Sequence, residues 1–302
     1  MIERGRSMAI DGAKGISLLN EFYHRKDLFW LSLWLCGMTA LWVWDLLFLN
    51  EPALVRLQTA FLNSVSTGFV VVLFSVFFGW IGGVWLHLLR RSKWKKFHTV
   101  MQLAVNLIRS VPQIIIVLIG YVVLTMLLRE EIIRSMLVQL LWMSAVISVA
   151  VVLEVADTVQ SRIEHYRTLD FVDAMLCNGI RESRIINVEI LWKNSRSHLL
   201  HKMIAVFGVS IFLQSSIDFI ISVGLSTDFS LSNLPLTLGS LLATIDSKQD
   251  ILAISNIFDS PSYVSQLFVQ HLQGLSVAFT IVFTLLCMFN IANGYQRRRR
   301  LV

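Results

Sequence analysis

Long apolar stretches separated by short polar segments dominate this sequence. Each of them approaches the roughly 20 apolar residues that a helix needs to cross a bilayer. The six stretches are about Leu28–Leu49, Thr67–Leu89, Val111–Leu128, Met136–Val155, Met203–Gly224 and Leu275–Ala292. The pattern predicts an all-α, polytopic membrane protein with about six transmembrane helices.

One polar insert, residues 168–192, lies between the fourth and fifth apolar stretches and carries charges of both signs. Such a segment cannot lie in hydrocarbon, so it must face water or another protein. Asp170 can cap a short helix at its start, and Gly179 can supply the left-handed stop that helices favour at their C-termini. Apolar residues recur at helical spacing between these two positions, at Val172, Met175 and Leu176.

A second short helix is predicted after Gly179. Ile186 and Ile190 lie one helical turn apart, with Ile185 beside them. The two helices, meeting at a glycine, would form a compact unit with one apolar side. This arrangement is typical of a docking element.

Composition supports a membrane location. The chain has 302 residues, of which 55% are hydrophobic and 15% charged, whereas soluble domains carry about 25% charged residues. With the N-terminus inside, the predicted cytoplasmic segments hold 22 of the 26 Lys and Arg residues. Both termini and the polar insert are therefore predicted to face the cytoplasm. The basic run 90–96 is better explained by this rule than by nucleic-acid binding.

The insert resembles the EAA loop of bacterial ABC importer permeases. That loop has the form E-A-A-x3-G, then nine residues, then I-x-L-P. Here Asp173 replaces the Glu, Met175 the second Ala, Glu189 the Ile and Trp192 the Pro. The resemblance implies a coupling helix seated in a cleft of a cytoplasmic ATPase. The residues that it assigns to ATPase coupling are Asp173, Ala174, Met175, Gly179 and Leu191.

Two other places resemble the same family. Ser110-Val111-Pro112 opens the third apolar stretch, and related permeases often have such a proline where a pathway-lining span begins. The fifth stretch is similar to that of dipeptide and oligopeptide permeases, since Asp218–Gly224 keeps a phenylalanine and the final glycine. Residues 236–245 predict a short helix, which in that family tucks back towards the membrane. Pro112 is accordingly expected at the translocation pathway.

The most polar run inside any span comprises Gln214, Ser215, Ser216 and Asp218. Polar groups at this depth should face either a cavity or another helix. If they face a cavity, Gln214, Ser215 and Asp218 are expected to line the translocation pathway. Hydrogen bonding between helices without a transport role explains the run equally well. The small residues Gly79, Gly82 and Gly83 should let helix backbones approach closely.

Other carboxylates have more than one interpretation. Asp45, near the outer end of the first span, could contact substrate or reach the membrane interface. Glu154 and Asp157 are expected to pair with Arg162 or with a partner rather than act as general acid and base. The scattered cysteines and histidines lack metal-ligand spacing, so we predict neither a disulfide framework nor a metal site.

These observations lead to one expected function and two alternatives. No nucleotide-binding loop of the form G-x4-G-K-[ST] occurs, so the chain is expected to bind no ATP, to carry no catalytic residue and to need no cofactor. The alternatives are an intramembrane enzyme using Asp45, Glu154 or Asp218, and a membrane scaffold without a transport role.

The resemblance implies the transmembrane permease subunit of an importer in the bacterial cytoplasmic membrane, carrying peptides or similar small solutes. Its implied protein partners are a second permease subunit, usually non-identical, two cytoplasmic ATP-binding subunits and an extracytoplasmic solute-binding protein. Contact with membrane lipids is also expected, and binding to nucleic acid is not. The chain divides into a cytoplasmic tail (1–27), a transmembrane domain (28–295) that starts with a retained span rather than a signal peptide, and a basic C-terminus (296–302).

Overall fold

The computed structural model describes residues 26–91, 95–224, 234–244, 260 and 272–300, and all regular structure within them is helical. The predicted N-terminal tail up to residue 25 and most of the predicted outer loop lie outside the described residues. The helices are α1 Lys26–Phe48, α2 Glu51–Arg91, α3 Lys95–Ser110, α4 Gln113–Arg129, α5 Met136–Arg167, α6 Asp170–Cys177, α7 Glu182–Arg184, a π-helix Ile185–Asn194, α8 Arg196–Gly224, α9 Leu238–Thr244 and α10 Leu272–Arg300.

Five of these described helices, α1, α2, α5, α8 and α10, contain a segment that is long and apolar enough to cross a membrane. A sixth span is obtained if Thr99–Ser110 and Gln113–Arg129, which meet at an angle of 86°, are counted as one broken span. The prediction of an all-helical, multi-pass membrane protein is thus confirmed at this level. The sixth predicted span, about Val111–Leu128, corresponds to α4.

The second span is longer than its apolar pattern predicts. Residues 51–66, which precede the predicted span Thr67–Leu89, form the first turns of the 41-residue helix α2. At 1.5 Å per residue this helix is about 60 Å long, twice the roughly 30 Å of a bilayer core. The added turns are helical because Leu57 and Ala60 are buried against Leu238 and Leu241 of α9. Tertiary packing, rather than hydrophobic length, therefore sets where this helix begins.

The centre of the bundle is formed by α2, α4, α5 and α8. Its largest fully buried side chains include Tyr121, Leu124, Met143, Ile147 and Ile217. The helices α2 and α5 run parallel, since the Ser144 hydroxyl lies 3.5 Å from the Thr67 carbonyl near their starts and residues 79–83 meet residues 155–159 near their ends. We call the end where α2 and α5 finish and α8 begins the loop end, and the other the far end.

Two glycines on α2 create the closest approach to α5. A Cβ atom on Gly79 would lie 2.7 Å from the Val155 side chain, and one on Gly83 would lie 2.8 Å from the Ala156 carbonyl oxygen. Gly82 differs, because a Cβ there would meet nothing within 4 Å. The prediction of close helix packing is confirmed at two of the three glycines, which have the small-xxx-small spacing of membrane helix contacts.

Gly83→Ala is expected to destabilise the bundle, with Gly82→Ala as its matched control. The added methyl at position 83 forces α2 and α5 apart, at a cost of about 1–3 kcal/mol, whereas alanine at 82 only adds helix propensity of up to ~1 kcal/mol. Thermal unfolding of the purified protein in detergent should show a lower midpoint for the first variant alone. Equal midpoints for the two variants would contradict this packing.

The first helix attaches to the last along one side of the bundle. The Trp34 indole donates to the Thr284 hydroxyl at 3.2 Å, and the Ser276 hydroxyl donates to Asp45 at 2.5 Å. Asp45 is 2% exposed, so the expectation that it reaches the interface is wrong: the carboxylate is satisfied between two helices instead. Many other side chains of α1, such as Leu47, are exposed, as lipid-facing residues are.

Candidate functional site

The polar insert forms a folded unit at the loop end, which the structure extends to residue 194. Its first helix, α6, begins after a tight turn, with Leu169 in the extended N-cap position and no side-chain cap. The expectation that Asp170 caps this helix is wrong, because Asp170 lies one position later, in the first turn. An acidic residue is favourable at either position, as both lie beside the positive end of the helix. The sequence therefore predicted the start of α6 to within one residue.

The predicted stop at Gly179 is confirmed. This glycine has φ +76°, its N–H donates to the Leu176 carbonyl at 3.0 Å, and the Ile180 N–H donates to the Met175 carbonyl at 3.2 Å. These two bonds form a Schellman motif, which closes the C-terminus of α6. A Cβ on Gly179 would meet nothing within 4 Å, so the glycine is needed for its backbone conformation and not for space.

The second half of the insert is a π-helix, which the sequence reasoning missed. After α7 the chain continues as the ten-residue π-helix Ile185–Asn194, in which backbone bonds span five residues, as in Ser195 N–H to Ile190 carbonyl at 2.8 Å. Its buried face consists of Ile185, Ile186, Ile190 and Leu191. The pairs 185–190 and 186–191 are five apart, and this spacing is the signal that could have predicted the wider helix. Such helices are often found at functional sites.

The apolar side of the insert anchors it to the bundle. The buried residues of the π-helix pack against Val159 and Ile163 of α5 and Leu199 of α8. The Trp80 indole of α2 donates to Asn187 at 2.7 Å, which fixes the insert laterally. Leu191, predicted to take part in coupling, is fully buried in this cluster, and Met175 is partly buried against it. The insert is therefore packed directly against the ends of α5 and α8.

Several residues of the insert remain exposed. They are Asp173, Ala174 and Gly179, together with Arg181 and Arg184; we call these five residues the docking face. A shallow open recess is lined by Gly179, Arg181, Arg184 and their neighbours. Three of the five residues assigned by resemblance are thus accessible, while Met175 is partly buried and Leu191 fully buried.

Two carboxylates of α5 connect the loop end of the bundle. Glu154 accepts from Lys202 of α8 and from Gln113 of α4, both at 2.5 Å, and Asp157 pairs with Arg109 of α3. The expectation of a bond to Arg162 is wrong, because the break at Pro112 brings Arg109 and Gln113 alongside α5. Helix α5 is therefore linked to three neighbours within about one turn.

Pro112 is the exposed N-cap residue of α4. It lies at the 86° bend between α3 and α4, immediately before the first residue of α4. Its ring supplies no N–H, and none is needed at a helix start. The structure thus gives Pro112 a role in starting α4 at the loop end.

At the far end, Asp218 holds the short helix α9 against α8. The carboxylate is 4% exposed and accepts from the Thr237 hydroxyl at 2.5 Å. Thr237 and Ser240 cap α9 reciprocally, through N–H to Oγ bonds of 2.8 and 3.1 Å. A Cβ on Gly239 would lie 2.6 Å from the Ser215 Cα. The short helix predicted over 236–245 is confirmed as Leu238–Thr244.

The polar run of the fifth span is consequently used between helices. Asp218 bonds to the segment before α9, half-buried Ser215 touches Gly239 through its backbone, and Gln214 is buried at 1% exposure. The Gln214 Nε2 has no hydrogen-bond partner among the described residues. Two members of the run, Ser215 and Asp218, thus contribute to the packing of α9.

The carboxylates considered for an intramembrane enzyme have separate partners. Asp45 is bound by Ser276, Glu154 by Lys202 and Gln113, and Asp218 by Thr237. No hydrogen bond joins any two of these three described carboxylates. Each of the three carboxylates is therefore held in a different contact of the bundle.

The chain was also compared with known proteins. No protein-family model matches it, and no curated protein has a matching sequence.

Proposed function

We propose that the chain is the membrane-spanning permease subunit of a bacterial ABC importer. With a second permease subunit it would form a translocation pathway for peptides or similar small solutes. Two cytoplasmic ATP-binding subunits would drive it through the docking face, and an extracytoplasmic solute-binding protein would deliver the solute. The chain would lie in the cytoplasmic membrane with both termini inside, as the distribution of Lys and Arg favours.

The construction of the insert carries this proposal. A docking element that transmits force needs an exposed contact surface and a stiff connection to the membrane helices. The docking face supplies the surface, and the buried cluster of Ile185, Ile190 and Leu191 on α5 and α8 supplies the connection. Helix α5 has 32 residues, so it spans about 48 Å from the insert to the far end of the bundle.

The hydrogen bonds at the loop end suggest how motion would spread. Displacement of the insert would move the end of α5 together with Glu154 and Asp157. These carboxylates would carry α4 and α8 with them through Gln113 and Lys202, and α3 through Arg109. Closure of the ATPases would in this way rock several spans together, as alternating access requires.

The far end offers a complementary element. Helix α9 contacts α2, α8 and α10 and is held by Asp218 and by Ser64, whose hydroxyl accepts the Leu238 N–H at 2.9 Å. Rocking of α8 would therefore displace α9, which lies on the side where an external binding protein would dock.

Charge reversal on the docking face tests the proposal. The double variant Arg181→Glu, Arg184→Glu should reduce ATPase recovery in a detergent pull-down by about tenfold, which corresponds to a loss of ~1.4 kcal/mol of charge complementarity. The matched control is Arg129→Glu, Arg134→Glu, which changes the net charge equally at exposed positions of the far end. Equal recovery for the two double variants would contradict docking on this face.

A further inference from the structure

Helix α3 presents an apolar face that the other described residues leave uncovered. On one side Gln102, Asn106 and Arg109 line a polar recess that includes Asp157. On the other side Val100, Leu103 and Leu107 are 66%, 61% and 61% exposed. The helix is thus strongly amphipathic, with its polar face turned towards the loop end of α5 and its apolar face turned outward.

The length of α4 and the bend before it bear on the position of α3. Helix α4 has 17 residues, which extend over about 26 Å, slightly less than the roughly 30 Å hydrocarbon core. An α4 that crosses the core along the membrane normal would have its first residue at or just inside the boundary of the core. Because α3 meets α4 at 86°, α3 would then run along the membrane plane at that depth, which is where amphipathic helices bind bilayers.

Exposed apolar side chains continue beyond α3. Val111 lies in the bend, and Ile115 and Ile119 lie on α4; they are 40%, 43% and 60% exposed. In sequence, Arg90 and Arg91 end α2, and Lys95 and Lys96 begin α3. Basic residues next to an interfacial apolar face are attracted to anionic headgroups, by about 1 kcal/mol for each Lys or Arg near the surface.

We infer that α3 is an interfacial helix that binds an anionic phospholipid surface at the loop end of the bundle. Val100, Leu103 and Leu107 would enter the acyl boundary, and the basic residues that precede them in sequence would be attracted to the headgroup phosphates. Since α3 is tied to α5 through Arg109 and Asp157, the membrane surface would provide a fixed support for the end of that helix. This inference does not depend on the proposed transport function.

Spin labels on the full-length chain test the inference. In a background with Cys36, Cys177 and Cys287 replaced by alanine, nitroxides are placed singly at Leu103→Cys and at the matched control Gln102→Cys. The protein is reconstituted in phosphatidylcholine vesicles with and without phosphatidylglycerol. We expect the ratio of oxygen to nickel-chelate accessibility to be several-fold higher at position 103 than at 102 when phosphatidylglycerol is present.

The attraction of α3 to anionic headgroups is tested by a separate comparison. Removing phosphatidylglycerol, or introducing Lys95→Gln with Lys96→Gln, should lower the ratio at position 103. An unchanged ratio in both cases would overturn binding to anionic lipid. Equal nickel-chelate accessibility at positions 103 and 102 would show that the apolar face of α3 is in water. Protection of position 103 from both oxygen and the nickel chelate would show that a protein covers it. Either result overturns the inference.

Discussion

Replacing Gly179 with valine is expected to lower transport coupled to ATP hydrolysis by roughly 5- to 30-fold, because a left-handed backbone costs an L-residue about 1–2 kcal/mol. Gly179 has φ +76°, and its N–H closes the C-terminus of α6. Space is not limiting, since a Cβ there would meet nothing within 4 Å. The strain would therefore be relieved by opening the turn between α6 and α7, which would displace the docking face.

Asparagine is the matched control for this position. It tolerates the left-handed conformation better than other non-glycine residues, so Gly179→Asn should retain most of the coupled activity. Both variants should insert and express alike, because the transmembrane core does not contact residue 179. Transport and ATP hydrolysis are measured in reconstituted vesicles containing the complete transporter. Wild-type transport by the valine variant would remove the docking role of this turn.

The second large effect is expected at Asp218. Asp218→Leu leaves the buried Thr237 hydroxyl without its 2.5 Å acceptor, at a cost of about 1–3 kcal/mol. The larger apolar side chain also stands beside Gly239, where α9 already lies against Ser215. Helix α9 should therefore detach locally from α8 while the rest of the bundle remains folded.

Amide hydrogen exchange reads this out directly. We expect exchange over residues 234–244 to rise roughly 5- to 100-fold in Asp218→Leu, as follows from that cost. Asp218→Asn keeps an oxygen acceptor for Thr237 and should show a much smaller rise. If the leucine variant exchanges like the wild type while transport is lost, Asp218 acts on the solute and not on α9.

Hydrophobic length and turn chemistry made much of the fold predictable. The apolar stretches identified α1, α5, α8 and α10 because lipid selects long apolar helices whatever their neighbours are. Gly179 was predictable because a left-handed C-terminal residue is a local requirement. In contrast, the first turns of α2 depend on contact with α9, which lies nearly two hundred residues away in sequence, and no local pattern contains that information.

The candidate site was predictable only in part, for a related reason. The sequence located the insert and its exposed residues Asp173 and Ala174, but it did not show that Leu191 would be buried. That burial results from the π-helix, whose wider turn places residues five apart on one face. The hydrogen bond from Gln113 to Glu154 likewise depends on the bend at Pro112. An apolar pattern that is interpreted as one straight span does not reveal this bend.

The central claim is that this chain works as one subunit of an ATP-driven importer. The most direct measurement is a gentle detergent pull-down of the tagged full-length chain from its native membrane, with mass spectrometry of what co-purifies. We predict recovery of a nucleotide-binding ATPase together with a permease partner, either a second multi-span chain or an untagged copy of this chain. Recovery of the chain alone, stable and monodisperse, would contradict the importer and favour a membrane protein that works without an ATPase.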